Sequence, residues 1–142
     1  MKARAMTVAG VMSGTSADGI DVAIARVAPG KYRPRLTLLA HEGFRYPTAL
    51  RRAVLAAMNA SSISTAELAR LNWRLGLAYA DAVEATVKRH RASVDLIGCH
   101  GQTPYRQAQP ETEDGRRFAC TWQAGEAAAI ADTVQPEQIK GR

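Results

Sequence analysis

The chain has 142 residues, 46% hydrophobic and 23% charged, enough for one globular domain with a core of its own. No apolar run approaches the roughly 20 residues needed to cross a bilayer, and two cysteines are too few for a disulfide scaffold. The net charge of +6 is dispersed over separate groups (Arg51-Arg52, Lys88 to Arg91, Arg116-Arg117, Lys140 and Arg142) without interleaved aromatics, which argues against a nucleic-acid groove.

Lys2 and Arg4 ahead of residues 6–12 imitate a signal peptide, but the apolar stretch is too short and has no cleavage pattern. It reads instead as a buried first strand of a cytoplasmic protein. A polar turn from Ser13 to Gly19 follows. Ile20, Val22 and Ile24 then alternate with Asp21, Ala23 and Ala25, the period of a second strand. Ala28-Pro29-Gly30-Lys31 is a turn by composition, and Leu36, Leu38 and Leu39 open a third strand ending near Phe44. Three strands with two tight connections predict an antiparallel meander.

After Pro47 the period becomes helical, with Leu50, Val54, Leu55 and Met58 on one face. Ser61-Ser62-Ile63 breaks that helix, and Ser64 with Glu67 predicts a capping box for the next. In this second helix Glu67, Arg70, Arg74, Asp81, Glu84 and Lys88 form a wet stripe, away from Leu68, Leu71, Leu75, Ala78 and Ala82. Gly76 interrupts it, and close packing against a sheet would account for that. Residues 94–99 read as a short buried strand, 100–104 as a loop, and 106–117 as a loop or hairpin tip. Phe118 to Gln123 fit another strand, and a helix opens at Gly125-Glu126 and runs through Ala131. Residues 135–142 lack any period and are expected to be disordered. Cys99 and Cys120 read as reduced core or near-site residues, and the three histidines are too scattered for a zinc site.

Three segments could carry chemistry. Between the first two strands, Met12 to Asp21 offers two glycines, three hydroxyls and two carboxylates. Glycines let backbone amides converge on phosphate oxygens, and small hydroxyls add donors. The carboxylates could hold magnesium through water or orient a substrate hydroxyl. It is no Walker loop, because no Gly-Lys-Ser/Thr follows, and a plain hairpin turn remains the alternative. His100-Gly101-Gln102-Thr103 lies after the fourth strand, at the strand end where open α/β sheets bind ligands; a polar loop is the alternative. In Gln123-Ala124-Gly125-Glu126, the glutamate could serve a ligand or simply complement a helix dipole.

Taken together and in this order, the segments resemble the anhydro-N-acetylmuramic acid kinase family. Its front motif, Gly-x-Met-Ser-Gly-Thr-Ser-x-Asp-Gly-x-Asp, is matched from Gly10 to Asp21 without a gap. Ile97 to Thr103 match its Ile-Gly-x-His-Gly-Gln-Thr element, and Gln123 to Glu126 its Gln-x-Gly-Asp/Glu element. The resemblance covers about Thr7 to Asp132.

It implies an α/β, ribonuclease-H-like first lobe of the actin-like kinases: a mixed sheet with the three-strand meander in front and flanking helices. It implies ATP and Mg2+ as cofactors and an amino sugar as substrate. The family opens the anhydro bridge with water and phosphorylates the freed 6-oxygen, giving N-acetylmuramic acid 6-phosphate in peptidoglycan recycling. By resemblance, Ser13, Gly14, Thr15, Ser16, Asp18, Gly19 and Asp21 bind the ATP phosphates, with magnesium near Asp18 and Asp21. His100, Gln102, Thr103, Gln123 and Glu126 fall on the sugar side.

The chain departs from the family after the last helix. There the family has a strand ending in an Asp-Phe-Arg element whose aspartate activates water, whereas this chain reads Thr133-Val134-Gln135-Pro136-Glu137. No catalytic base is assigned, and the second lobe is expected to lie outside these residues. The expected organisation is a partial lobe over 1–132 and an irregular tail over 133–142, inactive alone and prone to self-association through its exposed inner face. A stand-alone sugar- or phosphate-binding module without catalysis is the alternative; binding to nucleic acid rests on charge alone, and no membrane role is expected.

Overall fold

The structure, a computed structural model, describes residues 4–133. Three strands come first: β1 (Met6–Ser13), β2 (Gly19–Ala28) and β3 (Arg35–Arg45). β1 pairs antiparallel with β2, and β2 with β3, as the alternating pattern predicts. Two helices follow, α1 (Thr48–Ala57) and α2 (Thr65–His90), then β4 (Leu96–Cys99). β4 returns parallel to β1, giving a four-stranded mixed sheet in the order β3-β2-β1-β4. A hairpin of β5 (Gln102–Glu113) and β6 (Arg116–Ala124) and the short α3 (Ala127–Thr133) complete the chain. The fold is mixed α/β, with the predicted meander at its front.

One face of the sheet makes the core. Ala9 and Val11 of β1, Val22 and Ile24 of β2 and Ala40 of β3 cluster with Leu50 and Val54 of α1 and Leu71, Leu75, Tyr79 and Val83 of α2. α2 begins at the predicted capping box, where the Glu67 amide donates to Ser64 Oγ (3.2 Å) and the Ser64 amide to Glu67 Oε2 (3.1 Å). Arg91 closes it in the left-handed conformation at φ 49°. Arg89 and His90 at that end both reach Glu42 of β3, at 2.7 and 2.8 Å. Asp95 fixes the start of β4: its carboxylate accepts the Thr7 amide (2.8 Å), and its own amide donates to Thr7 O (2.7 Å).

The other face of the sheet is open. Gly10, Met12, Asp21, Ala23, His41 and Gly98 line a shallow depression of about 410 Å3 on it.

Four expectations need correction. β4 is an edge strand with Leu96 half exposed, so its apolar run marks partial burial only. β3, by contrast, opens where Leu36, Leu38 and Leu39 predict, with these leucines exposed at the opposite edge. Residues 102–104 and 106–113 are strand rather than loop, and the hairpin tip expected within 106–117 narrows to Asp114-Gly115 between the two arms. With no core against them, these arms carry no period-two pattern, and the irregular pairing between Gln107 and Glu111 accommodates Pro110. Gly76 packs against a helix entry rather than the sheet: a Cβ there would sit 2.5 Å from the Glu126 carbonyl oxygen and 3.0 Å from Ala129 Cβ. Cys99 is half-buried beside β1, whereas Cys120 lies exposed on the hairpin, away from the core. The tail expected to be disordered, 135–142, lies outside the described residues.

Candidate functional site

The parallel pairing of β1 and β4 brings two of the three motif segments together. Val11 stands opposite Cys99, and the His100 amide donates to Val11 O at 3.0 Å. The loop after β1 and the His100-Gly101 turn after β4 therefore leave the sheet side by side, at the carboxyl ends of parallel strands.

The loop is short and tied at several points. The Ala17 amide donates to Gly14 O at 3.1 Å, with Ala17 left-handed at φ 52° and buried. From α1, Arg51 Nε donates to Ala17 O at 3.1 Å. From beneath, Gln102 Nε2 donates to the same Gly14 carbonyl at 3.1 Å. Thr15 and Ser16 remain exposed at the tip.

The two motif glycines differ. At Gly19 a Cβ would collide with the carbonyl oxygen of Phe44 on β3, so the fold itself requires glycine there. At Gly14 a Cβ would meet nothing closer than Ser16 Oγ at 3.4 Å, an ordinary contact.

Beneath the loop runs a buried polar chain. Ser13 Oγ and Tyr79 OH share a hydrogen bond of 2.9 Å, Tyr79 OH and Tyr46 OH one of 3.2 Å, and Tyr46 OH donates to Gln102 Oε1 at 3.2 Å. All four residues are buried. Burial raises both tyrosine hydroxyls above their ordinary value, so they stay protonated and act as neutral hydrogen-bonding groups. Burial likewise raises the thiol of Cys99, which makes it a poor nucleophile.

The predicted residues are thus distributed unevenly. Ser13 and Gln102 lie inside the fold with their polar atoms engaged. Asp18 and Asp21 diverge: Asp18 Oδ1 is 3.6 Å from Arg51 Nη2, and Asp21 Oδ1 is 3.1 Å from His41 Nε2 on the open sheet face. His100 faces that same depression. Thr103 is half-buried at the start of β5, and Gln123 is exposed on β6, its Nε2 donating to Thr121 Oγ1 at 3.1 Å. Glu126 takes the Ala128 amide on Oε1 and the Asn72 side-chain amide on Oε2, each at 3.1 Å, so it caps α3. Asn72 Oδ1 also accepts the Gly125 amide at 2.7 Å, and its backbone carbonyl the Glu126 amide at 3.1 Å.

Sequence reasoning passed over Tyr46, Tyr79, Arg51 and Asn72. Tyr79 had a legible signal: it follows Leu75 by four on the buried stripe of α2, where a polar-tipped aromatic needs a partner. Asn72 had none, because its partners are more than fifty residues away.

Beside the loop, Asp18, Arg45, Tyr46, Thr48, Arg51, Arg52 and Leu55 surround a cavity of about 700 Å3.

The model of the family described as anhydro-N-acetylmuramic acid kinase matches residues 6–139. A protein of Bacillus cereus (strain Q1) with that name is 38% identical over 129 residues, 89% of this chain and 33% of its own length. One from Bacillus anthracis is 37% identical over the same shares. The chain spans about a third of the length of the curated relatives it matches.

Proposed function

The chain belongs to the anhydro-N-acetylmuramic acid kinase family, and from that premise we propose that it forms the part of such an enzyme that grips the ATP phosphates. The observation that carries the reading is the room at Gly14. No atom among the described residues demands glycine there, yet the residue sits in a tied loop at the carboxyl ends of parallel strands. A ligand approaching the backbone supplies the reason the fold does not.

The loop suits phosphate: Thr15 and Ser16 offer exposed hydroxyls, and Ser13, Gln102 and Arg51 hold the backbone beneath them. Asp18 and Asp21 turn to different partners, so magnesium fits only as an ion carried on the nucleotide's phosphates and met by one carboxylate. ATP supplies the phosphoryl group. The chain's own residues orient the phosphates and exclude water beneath them. His100, Thr103, Gln123 and Glu126 are assigned to the sugar side, and Gln102 acts on ligand through the loop it supports.

The complete reaction, hydrolysis of the anhydro bridge with phosphorylation to N-acetylmuramic acid 6-phosphate in the cytoplasm, belongs to a protein with the remaining two thirds of the relatives' length. These 142 residues alone are proposed to be inactive, since no base for the attacking water and no adenosine site are assigned in them. Their uncovered sheet face favours self-association.

A chimera tests this. Residues 1–132 replace the matching third of the Bacillus cereus relative, and phosphorylated sugar is read by mass spectrometry. The chimera should turn over, its Gly14→Val form should fold without turning over, and the 142 residues alone should give no product. A Gly14→Val chimera as active as its parent would remove the loop from the active site.

A further inference from the structure

We propose that the cavity between the loop and α1 is a second anion site, in which Arg45, Arg51 and Arg52 take a phosphoryl group. The proposal deepens the preceding one and rests on its placing phosphate at the adjacent loop.

The cavity holds about 700 Å3, ample for a phosphoryl group with part of the molecule that bears it. Its charged lining is three guanidinium groups against the single carboxylate of Asp18. Arg51 is fixed by Ala17 O and Asp18. Arg45 and Arg52 have no carboxylate within ion-pair distance among the described residues, although both are exposed and free to swing. Three like charges lining one space repel each other, and an incoming dianion would draw the two free guanidiniums in and relieve that repulsion. Guanidinium forks match phosphate oxygens in paired hydrogen bonds.

The backbone explains why the arginines converge. Arg45 ends β3 opposite Gly19, the first residue of β2 after the loop, and Arg51 and Arg52 follow within the first turns of α1. The positive cluster thus adjoins the loop that contacts phosphate in the proposed function. Buried Tyr46 and half-exposed Leu55 close its floor and side.

Two sources share this chemistry, the phosphate tail of a nucleotide and the phosphate ester of a sugar. Calorimetric titration of the 142-residue chain with inorganic tripolyphosphate and, separately, with N-acetylglucosamine 6-phosphate tests the site and tells them apart. At least one should bind, and the tighter identifies the source. Arg45→Gln with Arg52→Gln should weaken it by about tenfold. Arg106→Gln with Arg117→Gln removes the same charge from the hairpin and should leave binding unchanged.

Loss of binding in Gly14→Val but not in the Arg45/Arg52 pair would keep the loop assignment and overturn this site. The reverse pattern would keep this site and overturn the loop. Binding of neither anion, or equal weakening by both arginine pairs, would also overturn the proposal.

Discussion

Replacing Tyr79 with phenylalanine should destabilise the fold without unfolding it, because one oxygen joins two elements beneath the loop. Tyr79 is fully buried, and its hydroxyl meets Ser13 Oγ at 2.9 Å and Tyr46 OH at 3.2 Å. Tyr46 retains Gln102 as a partner after the change; Ser13 Oγ, itself buried, loses its 2.9 Å partner. The ring stays, so the packing term is small. Two net hydrogen bonds of about 1 kcal/mol each, plus part of the cost of an orphaned hydroxyl, give about 2–3 kcal/mol. With a urea m value of about 2 kcal/mol/M, the unfolding midpoint should fall by about 1–1.5 M at unchanged slope. Tyr46→Phe should cost a similar amount, and the double variant less than the sum, since the two share a bond. A Tyr79→Phe midpoint equal to that of the parent would refute the buried chain as drawn.

Gly76→Ala reverses the usual expectation for a helix. Alanine favours helix by about 1 kcal/mol, but its Cβ would lie 2.5 Å from the Glu126 carbonyl oxygen, so overpacking should win by about 1–2 kcal/mol net in chemical denaturation; a stabilised variant would mean that α3 is not docked there. His90 and Arg89 hold the Glu42 carboxyl below its ordinary range. A depressed folded value contributes stability above the unfolded value and loses it as pH falls through the folded one. Glu42→Gln should therefore melt below the parent near neutral pH and match it in acid, and a gap unchanged by pH would count against the pair.

Elements facing the core were legible, because burial imposes a period: β1, β2, α1 and α2 all follow from apolar spacing, and the capping box at Ser64 fixes where α2 starts. In the β5–β6 hairpin the second arm was legible at Phe118 to Gln123, but β5 was not, since its residues meet mostly solvent and their order carries no alternation. The loop was visible as a motif, yet its support was not. Gln102 looks like a ligand-binding residue in a polar run, and only the fold reveals that its amide atoms are spent on Gly14 and Tyr46. Glu126 and Asn72 teach the same lesson: a carboxylate near a helix start reads equally as cap or site until its partners are known.

The most direct measurement is a nuclear magnetic resonance titration of the 142-residue chain with magnesium ATP, following backbone amides and repeating the series on Gly14→Val. Saturable shifts centred on Gly14 to Gly19 are expected, abolished in a variant that keeps the parent's fold. Shifts confined to other parts of the chain, or a Gly14→Val series indistinguishable from the parent, would contradict the loop assignment.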